Sequence, residues 1–231
     1  MPRSADPAPR PGPECAVAVF AKAPLPGTVK TRLIPPLTPA QAARLHAAFV
    51  ADTLRRVASL DVARFLACTP QPRHPFLSAC GRRYHARTIA QGSGDLGARM
   101  QRVAARLLTR YPKVVIIGTD SPTLPIAYIE NALRTLDWAD IVFGPSEDGG
   151  YYLVGQRRLY PKMFQGIPWG GPDVLASSLD KIPRARVALL PPWYDVDRPR
   201  DLARLRTDVT ETGDCPKTAS WFRARQRGSR L

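Results

Sequence analysis

The chain has 231 residues, 44% of them apolar, and its 34 Lys and Arg against 19 Asp and Glu give a formal charge of +15. That apolar share builds a sizeable core in one large domain or two small ones, and no apolar run nears the roughly 18 residues of a spanning helix, so a disordered chain and a membrane span are both excluded. Four scattered cysteines (Cys15, Cys68, Cys80, Cys215) without a Cys-x-x-Cys pair, and only three histidines, suggest neither a disulfide framework nor a zinc site and fit reduced thiols in a cytoplasm.

Residues 1–14 carry prolines at positions 2, 7, 9, 11 and 13 and no apolar stretch of the kind an export signal needs, so an extended, disordered segment is expected there. The apolar run Ala16 to Phe20 reads as a first strand. It leads into AKAPLPGTVKTRL, Ala21 to Leu33, which has a single glycine, Gly27, where a wrapped phosphate loop uses several. Lys22, Lys30 and Arg32, with Thr31 between the last two, offer side chains to phosphate oxygens instead, the arginine in bidentate fashion. Thr38-Pro39-Ala40-Gln41 is a capping box with proline at the first helical position, and Leu45, Phe49, Val50, Leu54 and Val57 follow at helical spacing.

Strands are expected at Ala63 to Ala67 and Arg87 to Ala90. QGSGDLG, Gln91 to Gly97, then opens a helix running from about Leu96 to Arg110, with glycines that permit close backbone approach and a helix N-terminus that favours an anion. Its spacing is not that of a dinucleotide fingerprint. A strand at Val114 to Gly118 ends in GTDSP, where Asp120 is either a hard-cation ligand or an Asx turn capping the helix from Pro125 to Leu136. After a strand at Ile141 to Phe143 comes GPSEDGGYY, readable as a plain hairpin or as an acceptor-binding loop, with Asp148 either a general base or a turn residue. Tyr151 to Val154 is a strand, Pro172 to Leu179 a helix and Val187 to Leu190 a strand. YDVDRP then places Asp195 and Asp197 on one side of an extended segment, a costly pairing without a cation between them. Asp197 can alternatively cap a helix from Arg198 to Leu205. The tail from Pro216 to Leu231 has five basic and no acidic residues, so part of the charge is expected on a loose end.

Short, often continuously apolar strands alternating with helices predict an α/β protein with a mostly parallel, doubly covered sheet. Ligands in such sheets bind beyond the carboxyl ends of the strands, where all these loops lie. Basic groups and three carboxylates there are what a metal-dependent nucleotide transferase requires. The +15 charge also raises nucleic-acid binding, but no basic stripe interleaved with aromatics supports it, so nucleic acid is not the expected partner.

Five segments in order, Phe20 to Leu33, Gln91 to Met100, Gly118 to Leu124, Gly144 to Leu153 and Asp195 to Leu202, resemble a bacterial family of small glycosyltransferase-like proteins associated with radical-SAM or selenium-domain genes. That family is related to the guanylyltransferase that makes the phospholactate or phosphoenolpyruvate precursor of coenzyme F420. The resemblance covers residues 15–206 and implies a GT-A, nucleotide-diphospho-sugar transferase-like fold, a three-layer α/β/α single domain; the rest, 207–231, is expected from its composition to be a basic C-terminal tail. It implies Asp120, Asp195 and Asp197 as ligands of Mg²⁺ or Mn²⁺, and Lys30 and Arg32 in a nucleotide-binding loop. The nucleotide- and phosphate-binding candidates are Lys22, Gly27, Lys30, Thr31, Arg32, Gln91, Gly92 and Asp95. Those for the acceptor are Glu147, Gly149, Gly150, Tyr151 and Trp169, with Asp148 catalytic. The expected ligands are a nucleotide or nucleotide-sugar and a small-molecule acceptor, with glycosyl transfer as the leading reaction and nucleotidyl transfer as the alternative. Two departures stand out: Gly170-Gly171 where relatives carry hydroxyl residues after the tryptophan, and Ser121 in place of the usual cysteine.

Overall fold

The structure, a computed structural model, describes residues 13–70 and 74–228. Seven strands form one sheet: β1 (Cys15–Lys22), β2 (Ala63–Thr69), β3 (Arg87–Ala90), β4 (Lys113–Ile117), β5 (Ile141–Pro145), β6 (Tyr151–Gln156) and β7 (Val187–Leu189). Their order is β3-β2-β1-β4-β6-β5-β7. Only β6 runs antiparallel to its neighbours, β4 and β5.

The helices are α1 (Pro39–Val57), α2 (Pro75–Arg83), α3 (Leu96–Leu108), α4 (Ile126–Thr135), α5 (Val174–Asp180), α6 (Asp201–Thr212) and α7 (Pro216–Gly228). Strand alternation divides the core into two faces. Val17, Val19 and Ala21 of β1 pack with Leu54 of α1, Leu77 of α2 and Ile129 of α4. Ala16, Ala18 and Phe20 pack with Met100, Val103 and Leu107 of α3. This is the expected three-layer α/β/α domain. The capping box also forms, with the Thr38 hydroxyl accepting from the Gln41 amide and the Gln41 side chain accepting from the Thr38 amide.

The C-terminal segment differs from the basic loose end expected for it. Helix α6 continues to Thr212, and α7 packs on α1 through a third apolar cluster that joins Leu45 and Phe49 to Leu205, Val209 and Cys215. Buried Asp52 on α1 receives the amides of Lys217 and Thr218 at 3.0 and 2.8 Å and the Thr218 hydroxyl at 2.7 Å, fastening the start of α7. Helix α2 had not been expected either; its short length and two in-line arginines hide the apolar face of Leu77 and Cys80. Of the N-terminal segment expected to be disordered, residues 1–12 lie outside the described residues. Among the described residues no helix is long and apolar enough to cross a membrane, and all four cysteines are free thiols.

Candidate active site

In sequence the chain winds outward from β1 to β3 and then returns to place β4 beside β1. The parallel strands β1 and β4 therefore end side by side at the point where the strand order reverses, the usual ligand crevice of an open α/β sheet. A cavity of about 350 Å³ opens there, lined among others by Lys22, His46, Gln91, Arg99, Asp120, Asp148, Tyr151, Trp169 and Asp195. A second cavity of about 230 Å³ adjoins it, lined by Lys22, Thr28, Lys30, Thr31, Arg32, His46, Asp120 and Asp197. Lys22, His46 and Asp120 border both.

The segment carrying Asp195 and Asp197 is pinned beside β4 by its backbone: the Val196 amide donates to the Asp120 carbonyl at 2.8 Å, and Trp193 pairs with Pro145 and Glu147. Tyr194 is held between the Thr123 hydroxyl (2.9 Å) and Asp208 of α6 (2.5 Å). Asp197 does not cap the following helix. Helix α6 has no side-chain cap; its first residue, Asp201, instead accepts from the preceding amides of Asp197 and Arg198 at 2.9 and 2.7 Å, while the Asp197 carboxylate meets Lys30 and Arg32.

The charges of this cluster are unequal. Lys30 touches Asp120 at 2.5 Å and Asp197 at 2.9 Å, and its attraction holds Asp120 below the usual carboxylate range against the burial that would raise it. The same two carboxylates keep Lys30 protonated although burial opposes the charge. Asp195 has the Ser121 hydroxyl as a donor, but burial, followed by repulsion from Asp120, pushes its carboxyl up to about 7. Among the described residues no three His, Cys, Asp or Glu side chains are grouped to hold a metal ion, and the Lys30 ammonium contacts both Asp120 and Asp197. The donor set still fits magnesium or manganese. Such an ion takes one or two carboxylates, keeps waters and completes its shell with phosphate oxygens. Asp120 and Asp195, which both line the larger cavity, supply the carboxylates.

Other expected site residues divide between lining and scaffolding. Lys22, Lys30, Thr31 and Arg32 surround the smaller cavity, whereas Gly27 only turns the loop at φ +77°. Gln91 lines the larger cavity, but its amide is spent on the Ala67 carbonyl (2.8 Å) and on Arg99, so it positions that arginine. Asp95 caps α3, accepting from the Ala98 amide at 2.7 Å. Gly92, at φ +85°, turns the chain where a Cβ would collide with Arg102. Gly150, Tyr151 and Trp169 line the larger cavity; Glu147 instead faces outward onto Arg204 at 2.8 Å. The Asp148 carboxylate accepts from Ser146 (2.5 Å) and from the Gly150 amide (3.1 Å), the expected turn, while remaining on the cavity wall. Gly149 sits where a Cβ would lie 1.8 Å from the Pro172 carbonyl oxygen.

Arg99 and His46 are lining residues that sequence reasoning missed. Arg99 stands one helical turn beyond Asp95, and this i, i+4 relation to a cap at a ligand-facing helix start was the available signal. His46 lies on the buried face of α1. Its Nε2 donates to the Lys22 carbonyl at 2.9 Å, burial holds it below its ordinary value, and its buried Nδ1 has no hydrogen-bond partner among the described residues.

Residues 53–171 match the family described as "Uncharacterized protein conserved in bacteria (DUF2064)". The chain belongs to this family. A solved protein of Desulfovibrio desulfuricans G20, provisionally named a nucleotide-diphospho-sugar transferase, is 32% identical to this DUF2064 protein, with TM-score 0.84 over 93% of this chain and 96% of its own. The 4-diphosphocytidyl-2C-methyl-D-erythritol synthase of Anaerococcus prevotii superposes with TM-score 0.61 at 10% identity, over 86% of this chain and 97% of its own. Glucosyl-3-phosphoglycerate synthase of Mycobacterium tuberculosis, solved with Mn²⁺ and UDP, gives 0.53 at 12%, over 89% and 81%. These last two show the shared fold. No curated protein matches the DUF2064 chain. Its structural neighbours are transferases that work on nucleotides, and its fold is that of the nucleotide-diphospho-sugar transferases.

Proposed function

We propose that the protein is a transferase that uses a nucleotide substrate with a divalent metal ion, most simply moving a glycosyl group from a nucleotide-sugar to a small acceptor. The observation that carries this reading is Asp120 and Asp195 lining one cavity together with Lys22, Tyr151 and Trp169. Magnesium or manganese on these carboxylates would supply charge to neutralise the departing diphosphate. Lys22 and Arg32 attract the phosphates from the loop side, adding fixed positive potential where negative charge develops. Tyr151 and Trp169, in edge contact with ring centroids 6.2 Å apart, form an aromatic wall suited to a sugar or acceptor face. Asp148 lines the same cavity, held by Ser146, and is the candidate to take the acceptor's proton. The 32%-identical D. desulfuricans protein and the Mn²⁺- and UDP-bound synthase support the choice of nucleotide and metal.

A second reading, nucleotidyl transfer, is favoured by the smaller basic cavity, whose Lys22 and Arg32 suit a departing pyrophosphate. Incubation with nucleotide-sugars and, separately, with nucleoside triphosphates and small phosphorylated acceptors, each with Mn²⁺, distinguishes the two. Nucleoside diphosphate formed in step with a glycosylated product supports the first; pyrophosphate release replaces it with the second. Neither product across a broad donor and acceptor panel, together with no nucleotide-dependent thermal shift, would refute both.

A further inference from the structure

The acidic side of the cavity already contains a cation of the protein's own. Lys30 has φ 49° and ψ 37°, a left-handed conformation uncommon outside glycine, and its side chain is only 4% exposed. Its Nζ lies 2.5 Å from Asp120 Oδ1 and 2.9 Å from Asp197 Oδ1, and it donates to the Val196 carbonyl at 2.8 Å. An ammonium has three N–H groups, and these three oxygens use all of them. The ring of Phe49 adds a face at 5.5 Å. Oxygen atoms gathered this closely about one buried positive centre are the surroundings a metal ion would otherwise demand.

We propose that Lys30 is the permanent cation of the Asp120 and Asp197 pair, so that the site accepts one divalent ion, on the Asp120 and Asp195 side, and not two. This rests on the metal-dependent reading above. Three carboxylates against Lys30 and Arg32 leave one negative charge, which a single divalent ion more than neutralises and a second would overload. A second ion between Asp120 and Asp197 would have to expel Lys30 and break three charge-assisted hydrogen bonds. The Lys30 backbone offers no easy retreat, because its carbonyl accepts from the Leu33 amide at 3.0 Å and opens the short helical turn Thr31–Leu33. The roles expected of the two basic residues therefore separate. Lys30, with every donor engaged, holds the carboxylates in place, while Arg32, its side chain 58% exposed and 3.6 Å from Asp197, remains open to phosphate.

Counting bound Mn²⁺ tests this without reference to turnover. Free Mn²⁺ is followed by electron paramagnetic resonance as the nucleotide-free protein is titrated, with near-ultraviolet circular dichroism confirming the fold of each variant. Wild type should saturate at one ion per chain. Lys30→Met should saturate at two, and Lys30→Met combined with Asp197→Asn should return to one. Lys30→Gln, which keeps a hydrogen-bond donor but no charge, guards against a folding failure of the methionine variant and should also bind two. Two ions in the wild type overturn the inference while leaving the metal-dependent reading standing, as does a count of one in both Lys30 variants. No bound ion in any of the proteins overturns the inference, and no Mn²⁺-dependent binding of UDP to the wild type overturns the metal-dependent reading itself.

Discussion

Raising the pH of the metal-free protein from about 5 to about 8 forces a charge onto Asp195 that its surroundings oppose. Its carboxyl ordinarily titrates at 3.8 and in the fold at about 7, so between these values the folded state binds one proton more than the unfolded state. Stability on this account is fully present below the ordinary value, falls as pH rises, and levels off above the folded one. Three units at roughly 1.4 kcal/mol each give a loss of at most about 4 kcal/mol, reduced by the water that reaches this half-buried side chain. Asp195→Asn keeps the shape and the Ser121 contact but cannot ionise. Urea unfolding in a chelator at a series of pH values should show the variant gaining on wild type by up to about 1.4 kcal/mol per pH unit between pH 5 and 7. Mn²⁺ should restore wild type at pH 8 and do little for the variant. Parallel curves for the two proteins across that window would refute the assignment of a raised carboxyl to Asp195, and with it the argument that this side of Asp120 lacks a cation.

Two further perturbations probe the scaffold. Asp52→Ala removes the carboxylate that accepts from the Lys217 and Thr218 amides and the Thr218 hydroxyl, so it should cost about 2–4 kcal/mol and release α7, read as faster amide exchange across 216–228 than in the remaining helices. Gly149→Ala places a Cβ 1.8 Å from the Pro172 carbonyl oxygen at a φ of +91°, so it should lower stability by at least about 2 kcal/mol in thermal unfolding. It should also weaken nucleotide binding more than Gly27→Ala, because the Gly149 carbonyl receives the Leu175 amide that seats α5 against the cavity.

The layered fold was legible because its signals are local. Val17, Val19 and Ala21 alternate with Ala16, Ala18 and Phe20 along one strand, and period two divides them between the two faces of the sheet. The capping box at Thr38 is four consecutive residues. The C-terminal helix was not legible, since it depends on a pairing across more than 160 residues. Nothing in PKTASWFRARQRG announces that Asp52, itself one polar residue inside an apolar helical run, will be its cap. Basic composition suggested a solvated end, whereas Ala219, Trp221 and Phe222 give the helix enough apolar surface to dock.

The site shows the same division at finer scale. Asp120, Asp148, Asp195 and Lys30 could be selected from sequence because each ends a strand or sits in a loop where a charge needs a reason. Which charge answers which could not, because pairing is decided by the register that brings Val196 onto the Asp120 carbonyl, and that register belongs to the sheet. One consequence is a redistribution of roles. The two carboxylates of DVD, similar in sequence, become chemically different: Asp197 faces an ammonium and an exposed arginine, while Asp195 faces another carboxylate across the cavity wall. A basic loop and an acidic loop are therefore more than opposite walls of one binding site. Lys30 is a shared member of both, and the charge it leaves unmatched determines where a metal-bound nucleotide can be held.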